Sequence, residues 1–215
     1  MHLFEAALDW EKALAGSDAA AGWAAMADDI GRLCLNRFID KDTGCLREFF
    51  DGNWQPMPGE TGRIVEPGHQ FEWSWLLSSW GIRRGLPEAM AASRRLLEIG
   101  EANGTDRTTE LAINELWDDL SPKDSGYRLW PQTERLKAWV VAAETAQTPT
   151  ERTVAFGKIA AAGRGVQKFL ANDIPGTWNE RLTKTGDIII DASPASSLYH
   201  ISGAINELWA TPTLA

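Results

Sequence analysis

With 215 residues, 44% hydrophobic and 24% charged, the chain has the length and composition of one water-soluble globular domain with a proper core. Its net charge of −9, with no run of Lys and Arg, argues against nucleic acid and anionic membrane as partners, and no apolar stretch is long enough to span a bilayer. The start, Met1-His-Leu-Phe-Glu-Ala6, lacks the basic and apolar regions of a signal peptide, and two isolated cysteines, Cys34 and Cys45, make neither a disulfide framework nor a zinc site, so a cytoplasmic protein with reduced thiols is expected.

A first helix is predicted from Leu3 to about Leu14, with Leu3, Ala6, Ala7, Trp10 and Leu14 on one stripe. Ser17-Asp18 is a cap signal for a second helix, from about Ala19 to Phe38. Asp40 to Pro67 carries no helical pattern; Leu46 to Phe50 alternates as a short strand between turns at Asp42-Thr-Gly44 and Asp51-Gly52-Asn53. Pro67-Gly68 opens the third helix, about His69 to Arg84. Gly85 ends it, and Pro87 opens the fourth, to about Ala102. Leu111 to Trp117 reads as a short strand or turn before a polar loop. The fifth helix spans about Pro131 to Ala146 and the sixth about Pro149 to Leu170. Pro175 to Asp191 reads as a hairpin, and Ser193-Pro194 leads into a seventh helix reaching about Leu208.

Helices thus come in tightly joined pairs, with long loops and short hairpins between pairs, in a unit of roughly 60 residues. An open α-solenoid and a closed α/α toroid both use that rhythm. The toroid is favoured, because the odd-numbered helices carry the unusual polar residues at their starts and would share one layer. The three histidines, His2, His69 and His200, each begin or nearly begin an odd-numbered helix. His69, Glu72, Trp73 and Leu76 share one helix face, and His2 with Glu5 repeats the His-x-x-Glu spacing. The helix dipole at His69 is expected to keep its ring neutral near pH 7, as a base requires, with Glu72 orienting the ring or carrying a proton.

The chain also has 11 Trp against 2 Tyr. Trp73, Trp75, Trp130 and Trp178 lie beside the polar motifs; most are expected in the core, and an indole face in a pocket would suit a sugar ring. Imidazoles and carboxylates at one mouth suit proton shuttling beside a carbonyl through an enediolate. A divalent metal held by three His and a Glu is the chemical competitor, weakened by the absence of any His-x-His or His-x3-His pair. No Gly-x-Ser-x-Gly and no phosphate-cradling loop is present, and Ser196 and Ser197 read as helix-cap residues.

Five pieces in order, Met1-His-Leu-Phe-Glu-Ala6, Gly44-Cys-Leu-Arg-Glu-Phe-Phe-Asp51, Pro67-Gly-His-Gln-Phe-Glu-Trp73, Trp130-Pro-Gln-Thr-Glu134 and Tyr199-His-Ile201, resemble the N-acylglucosamine 2-epimerase superfamily, most closely its mannose isomerase and mannose-6-phosphate isomerase branch. The resemblance implies an all-α (α/α)6 barrel and acid–base chemistry on a sugar, without metal or cofactor. It implies catalytic roles for His69, His200, His2 and Glu72, and substrate contacts for Trp130 and Glu134, to which the spacing and indole arguments add Glu5 and Trp73. Such a barrel has twelve helices; seven are read here. Residues 1–215 are therefore expected to be one domain, the C-terminal portion of the barrel with the N-terminal helices missing. The expected reaction is aldose–ketose isomerisation of mannose or mannose 6-phosphate. A sugar 2-epimerase and a truncated inactive fragment are the alternatives. A homodimer is left open, and Arg63, Arg135 and Arg181 are the candidates to meet a phosphate, each more simply read as surface charge or a carboxylate partner.

Overall fold

The computed structural model describes residues 1–211. Seven α-helices are present among them: α1 (His2–Ala13), α2 (Asp18–Leu33), α3 (Pro67–Arg84), α4 (Pro87–Ala102), α5 (Leu129–Glu144), α6 (Pro149–Leu170) and α7 (Ala195–Ala210). α2 runs on into a π-helical turn, Cys34–Phe38. The helices pack as hairpins, α1 on α2, α3 on α4 and α5 on α6, while α1, α3, α5 and α7 lie side by side as an inner layer. No helix of the described residues is long and apolar enough to cross a membrane.

Layer position follows from burial. α3 and α5 are buried nearly all round, from Pro67 to Gly81 and from Leu129 to Ala143, as helices covered on both sides must be. α4 and α6 bury one stripe each, Ala89, Leu96 and Ile99 on the one and Ala155, Ala162 and Phe169 on the other. Local signals set the ends. Pro87 and Pro149 sit at first helical positions, Gly85 closes α3 in the left-handed conformation at φ 64°, and Thr148 with Glu151 forms a reciprocal capping box.

Two small antiparallel sheets fill the long loops. β1 (Ile64–Val65), β2 (Glu115–Trp117) and β3 (Pro122–Asp124) form one; β4 (Tyr127–Arg128), β5 (Arg181–Leu182) and β6 (Ile188–Ile189) form the other. β5 and β6 are the hairpin predicted from Pro175 to Asp191, with Leu182 opposite Ile188. The strand expected at Leu46–Phe50 is not continuous. Leu46 bridges Ile39 and Phe50 bridges Pro56, while Phe38, Phe50 and Trp54 gather into an aromatic cluster that bends the segment. Ser17 does precede α2, but its hydroxyl donates back to Leu14 rather than capping the helix.

Hydrogen bonds expose an internal repeat. Asp40 accepts from the Thr43 amide and hydroxyl, and Asp106 accepts identically from Thr109. In the first turn of α3, the Gln70 side chain both accepts from and donates to the backbone of Leu46. In the first turn of α5, Gln132 does the same to Ala112. Each buried amide thus satisfies an otherwise orphaned loop backbone and pins the loop to an inner helix. Reading outward from Gln70 and Gln132, Gly68 corresponds to Trp130, Glu72 to Glu134, and Trp75 to Lys137.

Candidate functional site

The starts of the inner helices converge on a pocket of about 310 Å³ lined by Met1, His2, His69, Glu72, Arg128, Trp130, Glu180, Ser196, Ser197 and His200. All three histidines are therefore brought together. Trp130 joins two of them, its ring centroid 4.9 Å from that of His69 and 5.5 Å from that of His200. Gly68 makes this possible: a Cβ there would lie 2.3 Å from the Trp130 ring, closer than any real contact. The repeat thus places a residue without a side chain where its counterpart carries the largest one.

Each histidine has a carboxylate. His69 Nδ1 donates to Glu48 Oε2 at 2.5 Å, with Glu66 Oε2 at 3.5 Å. Burial alone would depress the His69 pKa, but the charge and hydrogen bond of Glu48, helped by Glu66 and Glu72, overcome it and raise the value to about 9. The expectation of a neutral His69 is thereby corrected: whole carboxylate charges beside the ring outweigh the partial charge of a helix end. The orienting carboxylate is also Glu48, not Glu72. Glu48 lies in the irregular loop, within the sequence piece Gly44 to Asp51, and no periodicity marked it.

His200, 12% exposed, donates from Nδ1 to Glu134 Oε1 at 2.8 Å. The carboxylate accepts at Nδ1, so Nε2 is the nitrogen left for a substrate. Glu134 is fully buried. Burial pushes its pKa up, yet Lys137 and His200 together hold it below the usual carboxylate range. Glu72 is fully buried as well and turns toward His2, whose Nε2 is 3.7 Å from its Oε1. Burial and the neighbouring Glu134 charge raise its pKa to about 8, so it holds a proton at neutral pH. Burial, and then the nearby His200, lower the pKa of His2.

The other sequence candidates divide. Glu5 faces an adjoining groove of about 500 Å³ with His2, Trp10 and Tyr199, and accepts a hydrogen bond from the Tyr199 hydroxyl. Trp73 does not reach the pocket. It is 4% exposed and packs against Phe4 and Phe38 in the core between α1, α2 and α3. Trp178 is likewise a core residue, behind Glu180. Ser197 is not a cap; its hydroxyl donates to Glu180 Oε2 at 2.7 Å, and the residue before α7 is Pro194. None of the three arginines offered for a phosphate lines the pocket. Arg63 pairs with Asp118 and Asp119, Arg135 is buried against Glu101, and Arg181 pairs with Asp191. Arg128, which the sequence reading passed over, does line it, lying over the Trp130 ring and 3.3 Å from Glu66.

Glu72, Glu134 and His200 are grouped closely enough to hold a metal ion, with one atom from each within 4.8 Å of the others. The fit is poor, because the Lys137 ammonium already lies 2.9 Å from Glu134 Oε2 and a divalent cation would meet a buried positive charge. A larger cavity of about 970 Å³ between α4 and α6 is lined by no histidine, and its half-buried Glu101 is satisfied by Arg135, Trp139 and Lys158.

The sequence profile described as N-acylglucosamine 2-epimerase (GlcNAc 2-epimerase) matches residues 1–204. A protein named mannose-6-phosphate isomerase from Rhizobium meliloti (strain 1021) is 48% identical over 209 residues, 97% of this chain and 53% of that protein. Among solved structures, a D-mannose isomerase superposes with a TM-score of 0.79 at 17% identity, covering 97% of this chain and 56% of the other. A sugar epimerase from a ruminal bacterium gives 0.80 at 15% identity, over 98% and 52%. Cellobiose 2-epimerase from Bacillus thermoamylovorans B4167 gives 0.79 at 16%, over 96% and 51%. The chain spans about half the length of the relatives it matches, and over that half its fold is that of the (α/α)6 barrels expected from the sequence.

Proposed function

The chain belongs to the N-acylglucosamine 2-epimerase family, and from that premise we propose that it carries the proton-transfer centre of an aldose–ketose isomerase acting on mannose or mannose 6-phosphate. The observation that carries the proposal is the pairing of His69 with Glu48 and of His200 with Glu134 on one Trp130 ring, which sets a proton donor and a proton acceptor on one pocket.

In this reading the closed sugar is opened first. That step gives a proton to the ring oxygen and takes one from the anomeric hydroxyl. Glu72 has a proton to give at neutral pH, and His2 beside it is neutral and able to accept. His200 Nε2 then takes the proton from carbon 2. The C–H electron pair becomes the C1=C2 double bond, and the aldehyde oxygen takes a proton from the His69 imidazolium. The now neutral His69 recovers a proton from the carbon-2 hydroxyl as the C2=O bond forms, and His200 returns its proton to carbon 1. Both histidines end as they began. Trp130 supplies an apolar face for the ring carbons, and Glu5 holds the adjoining groove through Tyr199.

The second reading is a sugar 2-epimerase, in which the proton returns to the opposite face of carbon 2. It is favoured by the same pair of histidines on one pocket, and by the structural likeness to sugar epimerases. We also propose that residues 1–215 form the C-terminal portion of the barrel. The support is the half-length match to relatives and the apolar side chains that α1 and α7 leave exposed, among them Leu3, Trp10, Leu198 and Trp209.

Proton NMR of D-mannose in deuterated water with the 215-residue chain tests the reading. Loss of the carbon-2 proton signal with fructose appearing supports the isomerase, and glucose appearing supports the epimerase. Mannose 6-phosphate is run beside it, because the Rhizobium relative carries that substrate in its name and Arg128 lines the pocket. Exchange on neither sugar, when a chain extended to the relatives' length exchanges fully, would identify the 215 residues as an inactive fragment.

A further inference from the structure

One buried charge has no place in that chemistry. Lys137 is 1% exposed, its Nζ lies 2.9 Å from Glu134 Oε2, and it sits 3.6 Å above the centre of the Trp75 ring. Neither oxygen of Glu72 has a hydrogen-bond partner among the described residues, and the Lys137 ammonium meets Glu134 Oε2 as a close buried ion pair. Glu5 from α1, Glu72 from α3, Glu134 from α5 itself and Glu207 from α7 all act on the ammonium, and His200 of α7 holds the far side of Glu134.

Glu72 and Glu134 occupy equivalent places in the internal repeat and face each other below the histidines. Two carboxylates so close and so buried do not both ionise at neutral pH. A symmetric pair would spread one proton over both sites. The symmetry is broken one helical turn later, where α3 carries Trp75 and α5 carries Lys137, and these two side chains are stacked on each other. We propose that Lys137 is a positioning residue: its ammonium fixes the negative charge of the pair on Glu134, and thereby holds His200 with its proton on Nδ1 and its Nε2 free for the substrate.

The consequence for the two acids is opposite. Glu134, charged, is an acceptor for His200 Nδ1–H. Glu72 keeps the proton, with His2 Nε2 3.7 Å from its Oε1. The raised pKa of Glu72 and the lowered pKa of Glu134, in equally buried sites, agree with this division. Without Lys137 the proton would divide between the two carboxyls. His200 would then face a protonated Glu134 for part of the time, lose the acceptor for its Nδ1–H, and shift its own proton to Nε2.

The inference rests on the isomerase reading for its catalytic meaning, but the tautomer belongs to the resting protein and is measured without substrate. The experiment is two-bond proton–nitrogen correlation NMR of the 215-residue chain labelled with nitrogen-15 histidine, from pH 6 to 8, beside Lys137→Met. Wild type is expected to show His200 protonated at Nδ1, and Lys137→Met to lose that tautomer as the major form. Carbon-13 spectra of the glutamate carboxyls in wild type form a second arm that survives misfolding of the variant: Glu134 ionised and Glu72 neutral at pH 7. A wild-type His200 protonated at Nε2, an unchanged His200 spectrum in folded Lys137→Met, or the reverse order of the two carboxyls would each overturn the proposal. Failure of both the 215-residue chain and the chain extended to the relatives' length to exchange sugar protons would refute the isomerase reading and leave these spectra unaffected.

Discussion

Replacing Glu48 by Gln removes a full charge from 2.5 Å beside His69 while keeping the shape of the side chain. In the wild type His69 binds its proton with a pKa of about 9 against an ordinary 6.5. That difference corresponds to about 3 kcal/mol of stability by linkage. Because the folded value is the higher one, the contribution is complete below pH 6.5 and disappears as pH rises through about 9. Wild type should therefore lose up to about 3 kcal/mol in urea unfolding between pH 6.5 and pH 10 from this group alone. Glu48→Gln should be the less stable chain at pH 6.5, lack most of this pH dependence, and approach wild type at pH 10. With three histidines in the chain, the carbon-bound imidazole protons can be followed individually, and in Glu48→Gln the His69 midpoint should fall by more than one unit. A wild-type His69 titrating near its ordinary value, or equal pH slopes in both proteins, would refute the argument that a loop carboxylate overrides the helix start.

Gly68→Ala drives a Cβ to 2.3 Å from the Trp130 ring; calorimetry should show a loss of about 1–3 kcal/mol, and Trp130 should leave His69. Thr148→Ala removes the hydroxyl that accepts from the Glu151 amide, leaving the arm from the Thr148 amide to the Glu151 carboxylate, and should cost about 1 kcal/mol in chemical denaturation. Glu101→Gln leaves the buried Arg135 guanidinium without its anion and should cost about 3 kcal/mol in the same assay. In a chain that exchanges the carbon-2 proton, His69→Ala and His200→Ala should each abolish exchange while circular dichroism stays largely unchanged; near wild-type exchange in either removes that residue from the mechanism.

The helices were legible because their signals are local. Pro87 and Pro149 fix helix starts and Gly85 a helix end, so three of these boundaries fall where periodicity and capping put them. The loop from Ile39 to Glu66 was not legible as a strand, because its shape comes from Phe38, Phe50 and Trp54 packing together and from Arg47 bridging Asp40 and Asp118. The three histidines could be read from their positions at helix starts. Glu72 and Glu134, beside His2 and His200, were legible as pocket residues as well, but two groups were not: Glu48 is remote in sequence from His69, and Lys137 lies in Leu136-Lys-Ala-Trp-Val-Val141, where a long cationic side chain ordinarily reaches for solvent. Trp73 shows the converse error. Sharing a helix face with His69 and Glu72 suggested a pocket wall, yet at one turn further along the helix the face has already entered the core.

The two principal histidines are tethered in unlike ways. His200 takes its carboxylate from within the packed inner layer, whereas His69 takes its own from an irregular stretch between helix pairs. Heritable change can therefore reach them separately. Exchanges in the stretch that bears Glu48 can retune the acidity of His69 without altering an inner helix, whereas a comparable change at His200 falls on buried α5, which carries Glu134. Such an architecture lets a lineage shift the acidity of one histidine through its loops and keep the setting of the other constant throughout.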